Sequence, residues 1–364
     1  MKRIGVALSG GVDSAVVAAL LLEKKYEVFG ATMVTRDPEG SDGGAAARVA
    51  ACLGIEHHVV DLREIFTKTV IDSFVQAYRC GETPNPCIRC NAHIKFGVFL
   101  EAVRELGADA MATGHYAQVA RCGVSGRFSL ERGADRLKDQ SYMLYALTQD
   151  QLGRIIFPLG AMSKEEVRAE ARRLGVWDAV ERKESQDICF VGNGRGGSGY
   201  ADFIVSRGGA LQPGVFVDKQ GRVLGSHPGI ERFTVGQRKG LGIALGERVF
   251  VVGIDPVQRE IILGKENDVF MQELWADRLN WIFWENCNEF LPGIHVQAKI
   301  RYHAPAVDAQ LYCEAGMIRV AFAEAQRAVA PGQAVVFYQG DVLLGGGRIV
   351  SDIRGIRQDL VEGS

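Results

Sequence analysis

Residues 9–14, Ser9-Gly10-Gly11-Val12-Asp13-Ser14, stand between an apolar run (residues 4–8) and a stretch of small apolar residues (15–22). The unbroken apolar run reads as a strand buried on both faces, and the stretch after the loop reads as a helix. A strand that turns through two glycines straight into a helix leaves the first-turn N–H groups aimed at one spot. Glycine lets the backbone approach whatever sits there. The result is an anion site at the carboxyl end of a parallel strand, which commits this part of the chain to an α/β sheet holding a phosphate-bearing ligand. No GxxxxGK(S/T) motif occurs anywhere, and the glycines lack the GxGxxG spacing of a dinucleotide fingerprint.

Strand patterns at 4–8, 28–33, 57–60 and 110–113 alternate with helical patterns near 15–25, 45–53, 66–79 and 93–106. This alternation predicts a doubly wound parallel sheet. The turn Thr113-Gly114-His115 then falls beside the glycine loop, at the same end of the sheet. Residues 163–174 predict a helix with a capping box between Ser163 and Glu166 and a stop at Gly175. From about residue 211 the texture changes to short β-rich runs between Gly and Pro turns, including 214–218, 248–254, 296–302, 318–322 and 334–338. Such spacing predicts small barrels or sandwiches. We expect a catalytic domain over 1–208, a central β-rich domain over 209–272 and a C-terminal β-barrel over 273–364. A formal net charge of −2 over 364 residues makes any nucleic-acid surface a local patch. No apolar stretch has the length of a membrane span, and Met1-Lys2-Arg3 runs directly into the first strand. A cytoplasmic protein without membrane contact is expected.

Eight cysteines in such a chain point to thiol or metal chemistry rather than a disulfide framework. Cys87 and Cys90 form a CxxC after Pro84 and Pro86, just before a helical pattern. A helix N-terminus there would stabilise the Cys90 thiolate and lower its pKa. Cys189 precedes the glycine-rich residues 192–199, which read as a mobile flap. Three readings stand open: a zinc site completed by His93 or His115, a 4Fe–4S cluster on Cys87, Cys90 and Cys189, or a redox pair in which Cys189 carries sulfur and Cys90 resolves it. Cys52, Cys122, Cys287 and Cys313 have no comparable context and read as bystanders. Arg232, Arg238, Lys239, Arg301, Arg327 and Arg348 are candidate phosphate contacts in the β-rich half.

The loop resembles the SGGxDS motif of N-type ATP pyrophosphatases. Nearly end to end, the chain resembles the bacterial tRNA-specific 2-thiouridylase (MnmA) family. The matching motifs are NPCIRCNAHIKFG (85–97), ATGHYA (112–117), KDQSY (138–142), ESQDICFVG (184–192), TVGQRKGLGI (234–243), KIRY (299–302) and QRAVAPGQAVVFY (326–338). The resemblance implies ATP-dependent 2-thiolation of the wobble uridine (position 34) in tRNAs for Lys, Glu and Gln. It implies ATP contacts at Ala7, Leu8, Ser9, Gly10, Gly11, Val12, Asp13, Ser14, Met33 and Gly114, with Mg²⁺ on Asp13 the natural candidate. Asn85, Pro86 and Cys87 would lie against the target base. His115, Lys138, Asp139, Gln140, Arg301, Tyr302 and Gln333 would contact tRNA. Cys189 would accept a persulfide, and Cys90 would resolve it through a Cys90–Cys189 disulfide. The implied sulfur donor is a cysteine desulfurase or a sulfur-relay protein, acting on a monomer. Relatives often carry Asp where this chain has Cys87, which here supplies the third thiol of the cluster reading.

Overall fold

The computed structural model describes residues 2–36, 43–123, 125–180, 188–191, 199–207, 210–286 and 292–350. Its N-terminal strands are β1 (Arg3–Ala7), β2 (Glu27–Val34), β3 (His57–Asp61), β4 (Ala110–Ala112), the hairpin β5 (Ala117–Arg121) and β6 (Phe128–Arg132), and β7 (Ile155–Ile156). Five of them form a parallel sheet in the order β3-β2-β1-β4-β7, as the alternating pattern predicts. The order reverses at β1, so a crevice opens at the carboxyl ends of β1 and β4. The helix Val12–Glu23 is buried along most of its length, with Ala15, Val16, Val17, Ala18 and Ala19 packed in the core, which is why its side chains are small. Ser163 and Glu166 make the expected capping box, and Gly175 ends that helix at φ +72°.

A central unit follows with β8 (Gly214–Asp218), β9 (Val223–His227), β10 (Phe250–Asp255) and β11 (Glu260–Gly264), in the order β10-β11-β8-β9. The last unit comprises β12 (Phe270–Trp281), β13 (Ile294–Lys299), β14 (Val307–Glu314), β15 (Met317–Arg327), β16 (Ala334–Gln339) and β17 (Val342–Ile349). These six close into an antiparallel barrel because β12 pairs with β15 along its first half and with β17 along its second. The register shift between Asp277 and Asn280, with Arg278 at φ +46°, bends β12 from one partner to the other.

Local pattern did not foretell one join. The hairpin β5–β6 leaves the parallel sheet and adds to the barrel, with Leu130 opposite Leu343 on β17. Behind it a single core mixes catalytic-domain residues such as Phe96, Leu130 and Tyr142 with barrel residues such as Val336, Tyr338 and Ile282. Polar contacts seal the seam: Tyr142 OH donates to the Ala334 carbonyl at 2.9 Å, and Asn280 Nδ2 donates to the carbonyls of Tyr145 and Leu147 at 2.6 and 3.0 Å.

Residues 141–152 form a 3₁₀ turn (Ser141–Leu144) and a short helix (Gln149–Leu152). Thr148 caps the second piece and so starts it afresh. Cys313 on β14 is disulfide-bonded rather than a bystander; its flanking sequence carries no sign of a partner. Residues 184–187 and 192–198, Cys287 and most of the loop after Arg36 lie outside the described residues.

Candidate active site

The glycine loop lies where the strand order reverses. Gly10 has φ +80°, and a Cβ there would stand 2.4 Å from Ala45 Cβ, so only glycine fits. Ser14 ties the loop, with its Oγ donating to the Gly11 carbonyl at 3.1 Å and accepting from the Ser9 N–H at 3.2 Å. Gly114, after β4, packs directly on this loop: a Cβ would meet Asp13 Cβ at 2.8 Å and the Ser14 nitrogen at 3.3 Å. Met33 closes the same end from β2. The expected ATP residues are therefore brought together.

Asp13 is engaged. Lys164 Nζ donates to both its oxygens at 2.8 and 2.9 Å, and Tyr116 OH donates at 2.8 Å. The Lys164 side chain is 12% exposed, so the pair is shielded. This carboxylate does not fit a resident Mg²⁺ ligand, because its oxygens already neutralise a lysine.

Asn85 caps the helix Pro86–Arg89, its Oδ1 accepting from the Cys87 N–H at 3.1 Å, with buried Pro86 at the first position. That helix runs without a break into a π-helix, Cys90–Val98. Cys90 is therefore a full turn inside helical structure rather than at its N-terminus. The expected fall in its pKa does not occur: burial pushes the Cys90 thiol up to about 11, against the pull of Lys95. Cys87 keeps an exposed face, yet the protein packed around it raises its pKa as well.

Cys189 comes near both thiols from a distant part of the sequence. Its charge is felt by both Cys87 and Cys90. The neighbouring Phe190 anchors it, its ring 5.2 Å from Phe74, 5.3 Å from Phe203 and 6.0 Å from Phe66, while the thiol itself is exposed. Arg36 donates to the Cys189 carbonyl. No disulfide joins Cys90 to Cys189 here.

Among the described residues, no group of three or more His, Cys, Asp or Glu side chains is arranged to hold a metal. The three thiols do not fit a cluster. Nor can His115 complete a zinc site, since both ring nitrogens are taken, by Lys95 at 3.3 Å and Thr113 at 2.6 Å.

The residues expected at tRNA are less uniform. Lys138 is half-exposed, and Gln140 Oε1 accepts from the Tyr116 N–H at 3.0 Å. Asp139 is buried and accepts from the Gly133 and Ser141 N–H groups, each at 3.0 Å, which makes it the organiser of its own turn. His115 is buried between Phe96 and Phe157. Half-buried Arg301 donates to the Ala328 carbonyl beside Tyr302. Gln333 Nε2 donates to the Thr83 carbonyl at 2.9 Å. Arg348 is held by Asp277 at 2.7 Å and Glu82 at 2.7 Å, so it is not a free phosphate contact; Arg238 and Lys239 remain exposed. Lys95 and Lys164 were missed by sequence reasoning: only their place within matched or capped segments hinted at them.

Residues 2–193 match the tRNA methyl transferase HUP domain model, 201–265 the tRNA methyl transferase PRC-barrel domain model, and 271–349 the aminomethyltransferase beta-barrel domain model. A tRNA-specific 2-thiouridylase MnmA of Carboxydothermus hydrogenoformans is 47% identical over 365 residues, covering 96% of this chain and 97% of its own. That of Desulfitobacterium hafniense is 45% identical over 375 residues, covering 96% and 98%. A solved 4-thiouridine synthetase–RNA complex with bound ATP is 18% identical with a TM-score of 0.35, covering 52% of this chain and 45% of its own.

Proposed function

The chain belongs to the tRNA-specific 2-thiouridylase family, and from that premise we propose that it catalyses ATP-dependent 2-thiolation of the wobble uridine in tRNAs for Lys, Glu and Gln. The observation that carries this reading is the nearness of Cys189 to Cys87 and Cys90, which come from a distant segment. Cys189 is near enough to Cys87 and Cys90 to raise the pKa of each. An ATP pyrophosphatase that forms amides has no use for such a meeting.

The uracil C2 carbonyl is a poor electrophile whose oxygen is a poor leaving group. ATP at the glycine loop, with its α-phosphorus facing that oxygen, transfers AMP to it and releases pyrophosphate. The loop N–H groups and the positive end of the helix Val12–Glu23 offset the pyrophosphate charge. Magnesium, in this reading, arrives on the nucleotide. The terminal sulfur of a Cys189 persulfide then attacks C2, and AMP leaves with the C–O bond. The base is now joined to Cys189 through a disulfide. The Cys90 thiolate attacks the Cys189 sulfur, freeing 2-thiouridine and leaving a Cys90–Cys189 disulfide. An external thiol reduces it, and a cysteine desulfurase or relay protein reloads Cys189. An anticodon loop suits this chemistry because its bases can leave the stack without breaking a duplex.

The test is mass spectrometry of nucleosides from unmodified tRNA-Lys incubated with the protein, Mg-ATP and a persulfide source. ATP-dependent 2-thiouridine that disappears in Cys189→Ser and Cys90→Ser supports the reading. Thiolation that survives both changes overturns it.

A further inference from the structure

The segment that carries Asn85, Pro86, Cys87 and Cys90 enters the site through residues 82–85, which have no regular structure of their own. Their position is set by the barrel. The Thr83 N–H donates to the Pro331 carbonyl at 2.7 Å, and Gln333 Nε2 donates to the Thr83 carbonyl at 2.9 Å. Gly332, at φ +87°, lies so close that a Cβ would stand 2.7 Å from Glu82 Cβ. The outer lock is ionic. Arg348 on β17 places Nη1 2.7 Å from Glu82 Oε1, while its Nε and Nη2 form a two-point contact with Asp277 on β12 at 2.9 and 2.7 Å. Side-chain exposures of 23% for Arg348 and 25% for Glu82 mean that this pair is only partly screened by water. A guanidinium fork can hold two carboxylates at once in fixed geometry; an ammonium cannot.

We propose that Glu82 and Arg348 are positioning residues for thiolation: through their ion pair the barrel fixes where the segment bearing Cys87 and Cys90 stands relative to the glycine loop and Cys189. This rests on the function proposed above. It reassigns Arg348 from RNA contact to clasp and makes the barrel a working part of the catalytic centre. The chemistry is sensitive to such placement, since an error of about 1 Å at a reacting group costs on the order of a hundredfold in rate.

Glu82→Gln and Arg348→Gln are compared with the parent for turnover, for tRNA affinity across a salt series, and for hydrogen exchange at the Thr83 amide. We expect each to lower kcat about tenfold or more, to leave tRNA affinity and its salt slope unchanged, and to speed Thr83 exchange. Arg348→Lys should recover part of kcat. If Arg348→Gln instead weakens tRNA binding and lowers the salt slope by about one, while Glu82→Gln keeps full kcat, Arg348 is a phosphate contact and the clasp is wrong. Full turnover in both variants also overturns it. Should Arg348→Gln fail to fold, Glu82→Gln alone decides, because losing an acid cannot weaken a phosphate contact. If the parent makes no 2-thiouridine, the functional reading fails, and the exchange rate of Thr83 in Glu82→Gln still decides the clasp.

Discussion

Lys95 Nζ lies 3.3 Å from His115 Nε2. An ammonium can only donate, so Nε2 accepts, and the ring proton on Nδ1 points to Thr113 Oγ1, 2.6 Å away. Burial and the neighbouring ammonium hold His115 well below the usual histidine range, so it is a neutral acceptor that fixes a cation. The π-helix explains what that cation faces. Five residues along an α-helix would turn Lys95 about 140° away from Cys90, whereas i→i+5 hydrogen bonding stacks the two. Lys95 is the group that pulls the Cys90 and Cys87 pKa values down against burial.

Replacing Lys95 by Gln should therefore slow iodoacetamide labelling of Cys90 at fixed pH by roughly three- to tenfold, since half to one pKa unit is the usual reach of a nearby charge. Lys95→Arg should hold the rate near that of the parent. Peptide mass spectrometry of labelled protein gives the rates, and equal labelling in all three proteins would remove Lys95 from the thiol site.

The pH profile carries the same physics. With Cys90 at about 11, its labelling should rise about tenfold per pH unit beyond about pH 9.5, where an ordinary thiol has levelled off. A plateau from about pH 9.5, about one unit above the ordinary thiol pKa, would show that the thiol is not desolvated.

Stability should fall in mild acid. The folded His115 stays neutral while the unfolded ring takes a proton below pH 6.5. Its contribution is whole above that value and is lost as pH drops towards the depressed folded value, at up to about 1.4 kcal/mol per pH unit. His57, His93 and His227 are depressed by burial too and add to the slope. Urea titrations from pH 7 to 5 should show midpoints declining, with a shallower decline in His115→Asn.

Gly10→Ala should be costly at both levels. The left-handed backbone adds about 1–2 kcal/mol, and the new methyl would press on Ala45 at 2.4 Å. Calorimetry should find ATP binding lost or weakened at least about tenfold, matching 1.4 kcal/mol; unchanged binding would mean the loop is not the phosphate site.

Much of this was legible in the chain. The glycine loop, the alternating pattern and the Ser163–Glu166 box are local signals, and each has its element in the structure. The cysteines were legible as a trio but not in their electrostatics. The direction of the Cys90 shift depended on whether a helix begins at Cys90 or before it, and Asn85 with Pro86 begins it four residues earlier. His115 shows the same limit: sequence marks it beside the loop, yet only packing against Phe96 and Phe157 reveals a buried acceptor. Arg348 reads as a phosphate contact in the sequence because its two acids lie 71 and 266 residues away. Such pairings leave no trace in local pattern.

The hairpin β5–β6 has a further consequence for how this chain can be divided. Because it belongs by sequence to the ATP-binding part and by hydrogen bonding to the barrel, no cut near residue 272 yields two whole folding units. A catalytic fragment would expose the free edge of β6 together with the apolar flank that Val336, Tyr338 and Leu343 now cover. A barrel fragment would lose the strand that flanks β17. The barrel and the nucleotide-facing part thus share one core, and neither could have been gained or lost alone without rebuilding the other's packing.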